Sequence, residues 1–315
     1  MRWWDLTSPP ALSAYQFAFS AANPSSLLVL GIDTQFALTK IDGLDLPAVR
    51  SSDPVRPRDA GQFVGLNLLS GRTITLSGDV VPTDPTNSTS FETALRTFAT
   101  AFEPTNDVET PFYFAGPSGT TYGLLARATK RSASIDKGWT AQRAVFSAQL
   151  HCTDPRVYIA PAGPVTISAP APSGALAFPV TFPLTFQGAG SGNSAVVTNS
   201  GNCEMRPMVR VYGPCTDPAL ANASIAGTPK VTITSGVSGF TVNAGDWLEL
   251  DFDLQTVTYN TPSGPGSPRP AWVTTDSTWW NLPPGANTIQ FTTSDSSAVA
   301  GYADVWSASA LYSVT

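Results

Sequence analysis

His151 is the only histidine in the 315-residue chain, and Cys152 follows it in "AQLHCTDP". Any Ser-His-Asp triad or Cys-His pair would have to use this one imidazole. The surrounding residues read as a strand end, where neighbouring side chains point to opposite faces, so Cys152 cannot pair with it. No G-x-S-x-G elbow occurs to present a serine. The three cysteines, Cys152, Cys203 and Cys215, are scattered, and neither C-x-x-C nor H-x-x-x-H spacing is present for zinc. An odd, sparse set is no disulfide framework. Cys203 and Cys215 are able to pair, but reduced thiols are the expected state.

Oxygen chemistry is little better supported. Glu249, Asp251 and Asp253 alternate along "WLELDFDL" and would project from one strand face. Three carboxylates suit Ca²⁺, yet no Asp-x-Asp-x-Asp-Gly loop accompanies them. A solvated face with one or two acids answering an arginine is the expected arrangement. No pair among the 23 acidic residues stands out as a glycosidase dyad. "GAGSGN" at 188–193 lacks the Lys-Ser/Thr ending and following helix of a phosphate loop, so it is expected to be a plain loop. The triplets Asn87-Ser-Thr and Asn222-Ala-Ser match the glycosylation acceptor, which matters only in a eukaryotic secretory route. No catalytic residue, metal ligand or cofactor site is therefore assigned.

The remaining candidates are tryptophans. Trp272, Trp279 and Trp280 surround "PSGPGSPRP", and "STWWNLPPGANTIQF" runs from a Trp pair through a proline turn into an alternating strand. Such rings can stack on sugars, with Trp272 and Trp279 as the glycan contacts. Adjacent strand residues point oppositely, so one of Trp279 and Trp280 is expected to cap a core while the other lies outside. Trp3 and Trp4 form a second pair, placed to dock on a neighbouring subunit.

The elements that position these residues are mostly strands. "RTITLSGDV", "AVFSAQLHC", "KVTITSGV", "WLELDFDL" and "NTIQFTT" alternate apolar and polar residues with period two, the pattern of half-buried antiparallel strands. One segment differs: Phe91, Leu95, Phe98 and Phe102 recur at helical spacing over about 89–103. Thr89 and Glu92 read as its capping box, and Pro104 follows its end. "AGPSGTT" reads as a hairpin turn and "PSGPGSPRP" as a loop. The Pro/Ala/Gly-rich stretch from Ala160 divides the chain into residues 1–159 and 160–315.

Composition narrows the function classes. Charged residues make up 13% of the chain, against ~25% in a typical protein. The net charge is −6 and there is no basic stripe, which argues against nucleic acid and anionic membranes as partners. No membrane-length apolar run or secretory leader is read. So neutral a surface suits burial in an assembly. The loop "RSSDPVRPRDAG" is an exception to the low charge, and Arg56, Arg58 and Asp59 are candidate subunit contacts.

The order of motifs carries a resemblance. "VTNSGNCEMRPMVRVYGPCTDPALANASIAGTPKVTI", then "GDWLELDFDLQTVTYN", then "STWWNLPPGANTIQF" is similar to the C-terminal domain of siphophage distal tail and related minor tail proteins. "LTKIDGLDLPAVR", "GQFVGLNLLSGRTITLSGDV" and "FYFAGPSGTTYGLLARATK" are similar to the N-terminal half of that family. The resemblance implies an all-β chain with one amphipathic helix: a belt-like N-terminal β domain followed by a galectin-like β-sandwich. It also implies a non-enzymatic, hexameric ring at the virion tail tip, assembled in the host cytoplasm. Its partners would be its own copies, the tail tube protein, and a baseplate hub or tail-fibre protein. On this reading Trp280, Leu282, Gly285 and Asn287 build a structural turn. The competing readings are a carbohydrate-binding adhesion module for host-wall glycans and a glycan hydrolase. Host-receptor binding is not assigned.

Overall fold

The computed structural model describes residues 3–6, 9–21, 27–84, 87–104, 108–134, 136–159, 163–170, 193–234, 240–295 and 300–314. The chain divides into two compact units. Unit 1 is Met1–Ala160 with Ala310–Thr315, and unit 2 is Pro161–Ser309. The end of the chain thus belongs to unit 1, which a division into two consecutive segments at 160 does not anticipate.

Unit 1 contains β1 (Gln16–Phe19), β2 (Leu28–Gly31), β3 (Phe36–Asp42), β4 (Val49–Ser51), β5 (Asn67–Leu69) and β6 (Arg72–Val80). The one α-helix among the described residues, α1 (Ser88–Ala101), follows, then β7 (Thr110–Ala115), β8 (Thr121–Ala133), β9 (Ala144–Cys152) and β10 (Val157–Ile159). The main sheet has the order β2-β1-β7-β8-β9-β6-β3, all antiparallel. The strong period-two segments form its centre. β6 and β9 pair over nine residues, from Arg72 opposite Cys152 to Val80 opposite Ala144. Ile74, Leu76, Phe146, Ala148 and Leu150 all point into the core.

Helix α1 lays Phe91, Ala94, Phe98 and Ala101 on that core. Phe98 packs on Phe102 and Phe146 with ring centroids 4.8 and 4.7 Å apart. The helix starts one residue before the expected span. Asn87 is its cap and accepts a hydrogen bond from the Thr89 amide at 3.0 Å, so the Thr89–Glu92 pair is not the cap. Asparagine caps at least as well as threonine, and it precedes Thr89 in the chain.

Unit 2 contains β11 (Val165–Ser168), β12 (Ser194–Asn199), β13 (Met208–Tyr212), β14 (Cys215–Thr216), β15 (Ala219–Asn222) and β16 (Lys230–Thr232). There follow β17 (Thr241–Val242), β18 (Trp247–Asp251), β19 (Thr256–Thr261), β20 (Gly264–Pro268), β21 (Gly285–Thr292) and β22 (Tyr302–Trp306). β23 (Ser309–Leu311) then pairs with β10 in the sheet of unit 1. A six-stranded sheet, β11-β22-β13-β18-β19-β20, and a four-stranded sheet, β12-β21-β15-β16, supply the two sides of a sandwich. Val209, Val211, Leu248, Leu250 and Val305 come from the first sheet, and Val197, Leu220, Val231, Ile289 and Phe291 from the second; all are buried.

Two local expectations are corrected here. "PSGPGSPRP" is not simply a loop, since Gly264–Pro268 forms edge strand β20 against β19 with a register shift between Tyr259 and Thr261. Proline lacks an amide proton and is tolerated on an edge. The strand read through "WLELDFDL" stops at Asp251, so Leu254 lies in the following turn and is exposed. The "GAGSGN" stretch lies outside the described residues except for Asn193.

Candidate functional site

The residues with catalytic or ligating chemistry do not converge. His151 is half-buried on β9, while Cys152 is buried on the opposite face. All three cysteines are buried. Burial pushes the Cys152 thiol up to about 12, with the Glu109 charge adding to the effect. Burial does the same to Cys215, also to about 12, with Asp295 as the second cause. Thiols held protonated in this way are poor nucleophiles and metal ligands.

The three acids of "WLELDFDL" have separate duties. Glu249 accepts from Arg210 at 3.1 Å, and Asp253 pairs with Arg206. Asp251 is buried and accepts the amides of Asp253 and Leu254 at 2.8 and 3.1 Å, closing the turn after β18. Among the described residues no group of three or more His, Cys, Asp or Glu is drawn together to hold a metal ion.

What does converge is the tryptophan turn. Trp280 is 3% exposed. Its ring packs on Phe252, just after β18 of the six-stranded sheet, at 4.4 Å. Its indole N–H donates to the carbonyl of Leu220, on β15 of the four-stranded sheet, at 3.4 Å. One side chain therefore clips the two sheets together. Leu282 is fully buried and exchanges both backbone hydrogen bonds with Met205, at 3.0 and 2.7 Å. Gly285 has φ +104°, and a Cβ there would meet nothing within 4 Å. The glycine is thus required by its backbone angle, not by space.

Asn287 donates to the carbonyls of Pro283 and Gly285 at 2.9 and 3.0 Å, and its amide oxygen accepts from Asn222 at 3.3 Å. Asn199 donates to the carbonyls of Leu282 and Cys203 at 3.0 and 2.8 Å. Asn199, Asn222 and Asn287 are almost completely buried. Together they tie the carbonyls of Cys203, Leu282, Pro283 and Gly285 into one set of side-chain hydrogen bonds around the Met205–Leu282 bridge. Asn199 and Asn222 were not singled out as turn residues from the sequence. Their visible signal is an amide at the end of an apolar strand, as in "ALAN". Burial also removes Asn222 as a glycan acceptor.

The tryptophans proposed as glycan contacts lie in different clusters. Trp272 packs on Phe240 at 4.2 Å and Tyr259 at 5.6 Å, with the Arg269 guanidinium 5.0 Å from its ring. Trp279 sets its ring edge-to-face on Phe252 at 5.0 Å, so both neighbours in the Trp pair touch one phenylalanine. Trp280 is buried and Trp279 half-buried, so the pair does divide in depth, but both rings reach Phe252 because residues 277–281 are not strand. Trp3 is 4% exposed and stacks on Tyr158 at 6.0 Å, so its ring is a core group of unit 1 and not a free docking surface. Trp4 is half-buried beside it, edge-on at 5.6 Å. Arg56, Arg58 and Asp59 lie near the tip of the hairpin arm that leaves β4 and returns as β5. All three are exposed, and Arg56 lies 3.7 Å from Asp59.

Among the described residues, buried indole and amide groups of unit 2 thus converge on one turn, and this site serves the sandwich itself. Residues 217–306, which include most of that site, match the family model described as siphovirus-type tail component, C-terminal domain. The resemblance to siphophage distal tail proteins is borne out. The Dit protein of phage SPP1, described as a paradigm of the hub adsorption apparatus in phages infecting Gram-positive bacteria, has a similar fold. The match covers 92% of this chain and 98% of that one, at 13% identity and TM-score 0.60. A chain of the phage P2 baseplate in its activated, Ca-containing conformation matches over 92% of this chain and 96% of its own, at 7% identity and TM-score 0.51. No curated protein matches the chain.

Proposed function

We propose that this chain is a ring-forming structural component of the siphovirus tail tip. Six copies close into a ring that joins the distal end of the tail tube to the baseplate hub and the host-recognition apparatus. The observation that carries this reading is the end-to-end extent of the fold shared with the SPP1 Dit protein, over nearly the whole of both chains. The family match of residues 217–306 supports it from the sequence side.

Physical chemistry supports the same reading. A closed head-to-tail ring needs two different patches on each subunit. A surface with 13% charged residues can be buried in such contacts without stranding many charges. Three sparse, buried cysteines suit assembly in the reducing host cytoplasm. The role is architectural and calls for no cofactor and no catalysis.

Antibodies against the purified protein, applied to virions of the phage that encodes it and viewed by immunogold microscopy, test the placement. Label confined to the tail tip is expected. Label along the tube or on the head contradicts the proposal.

A further inference from the structure

The sheet of unit 1 is completed by the last residues of the chain. β10 pairs with β8 on one side, Tyr158 opposite Gly123 and Ile159 opposite Tyr122, and with β23 on the other. In the sequence the whole of unit 2, Pro161–Ser309, lies between these two neighbouring strands. Until the residues after it are made, β10 has an open edge. Such an edge is a template for another extended chain.

One side chain marks the same place. An arginine carries five N–H donors, and all five of Arg72 are engaged. Its Nε and Nη2 donate to the Pro155 carbonyl at 3.1 and 2.9 Å, and its Nη1 donates to Gly43 and Asp45 at 2.8 and 2.7 Å. These acceptors all precede unit 2 in the chain. The fifth bond, from Nη2 to the Tyr312 carbonyl at 2.7 Å, waits for the chain's end. Arg72 is 2% exposed. Without the tail a charged group at this depth is short of one acceptor, which is a costly defect.

The tail meets this site as a strand ligand would. Ala310 is fully buried, and Leu311 and Val314 pack against the core of unit 1. β23 spans only three residues, Ser309–Leu311. Its pairing with β10 and the bond from Arg72 both engage its main chain. Main-chain pairing for affinity, with small apolar side chains for fit, is the chemistry of strand addition.

We propose that the open edge of β10 and the Arg72 guanidinium form a binding site for an extended apolar peptide, and that residues 309–314 of the same chain are its resident ligand. The site is built from segments between Gly43 and Ile159, and the ligand is synthesised last. Unit 1 is therefore completed only when the chain is complete. A chain that ends inside unit 2 keeps the site open. This inference does not depend on the ring reading.

The test uses a labelled synthetic peptide of residues 307–314 and full-length protein carrying Ala310→Glu. The fully buried Ala310 leaves no room for a carboxylate, so this variant's own tail is displaced. The peptide should bind it and raise its melting temperature toward the wild-type value. Wild-type protein, whose site is filled by a tethered competitor, should bind the peptide at least about tenfold more weakly. The same peptide with glutamate in place of Ala310 should not bind. Folded variant that ignores the peptide, or wild type that binds it equally well, overturns the proposal. Hydrogen exchange decides the matter even where Ala310→Glu does not fold. In wild type the amides of β10 and β23 should exchange together and ahead of those of β6 and β9, because the tail opens as a unit. In full-length Arg72→Lys, which keeps the charge and loses the fork, they should exchange at least about tenfold faster, the loss expected for a hydrogen bond to a charged group. Exchange of the tail only with the rest of unit 1, or no change in Arg72→Lys, overturns the assignment.

Discussion

Arg72 donates from its guanidinium to the main-chain carbonyl of Tyr312 at 2.7 Å, joining positions 240 residues apart. The same group donates to Gly43 at 2.8 Å, to Asp45 at 2.7 Å, and twice to Pro155 at 3.1 and 2.9 Å. Every contact is a backbone carbonyl, and the residue is 2% exposed. Burial pulls its pKa down, with Cys152, Asp45 and Asp154 opposing. An arginine nevertheless stays charged. Replacing it with methionine leaves the carbonyls of three segments unpaired. We expect Arg72→Met to lower stability by about 3 kcal/mol or more, and Arg72→Lys to recover little, because lysine lacks the planar fork. Removing residues 310–315 should destabilise unit 1 in the same direction. Urea unfolding reads both, and a midpoint unchanged by either contradicts the role of the tail.

The tryptophan turn separates two neighbours. Trp280→Ala removes a buried ring that bridges the sheets and should cost about 3–5 kcal/mol. Trp279→Ala removes a half-buried ring and should cost clearly less. Equal losses in chemical denaturation would contradict the asymmetry.

Gly285 and Asn287 act on the same turn by different means. Gly285→Ala meets no clash, so its cost is backbone strain of about 1 kcal/mol. Asn287→Ala strips two donors from the turn carbonyls and an acceptor from the buried Asn222 amide, costing about 2 kcal/mol. Thermal melts should rank the two in that order.

The cysteines give a pH prediction. The folded thiols of Cys152 and Cys215 lie near about 12, against an ordinary value of 9.0. The fold holds the proton more tightly than the unfolded chain does. The stability linked to these protons is present in full below pH 9 and is lost as pH rises toward 12. Native protein at pH 8 should therefore resist maleimide labelling, with all three thiols reacting after denaturation. Rapid labelling of the native protein would contradict the buried, protonated assignment.

Much of this architecture was legible in the residues. β6 and β9 alternate so cleanly that their sequences specify both strand and inward face, and the Phe91–Phe98 spacing specifies the helix. The misses have physical causes. Asn87, two residues before Thr89, won the cap because its side chain accepts the Thr89 amide itself and so starts the helix earlier. Pro-rich 264–268 became a strand because an edge does not use every amide. Trp279 and Trp280 meet on Phe252 because an irregular segment is free of strand alternation. Arg72 opens a strand and looks exposed in sequence. Its burial depends on carbonyls from positions 43, 155 and 312, which no local pattern connects.

The central claim is that this chain closes on itself. Light scattering of the purified protein across a concentration series, with negative-stain images of the same sample, tests it most directly. The account predicts a ring with a mass near six times the 33.1 kDa chain. A species that stays at the mass of one chain at every concentration, with no rings in the images, would contradict it.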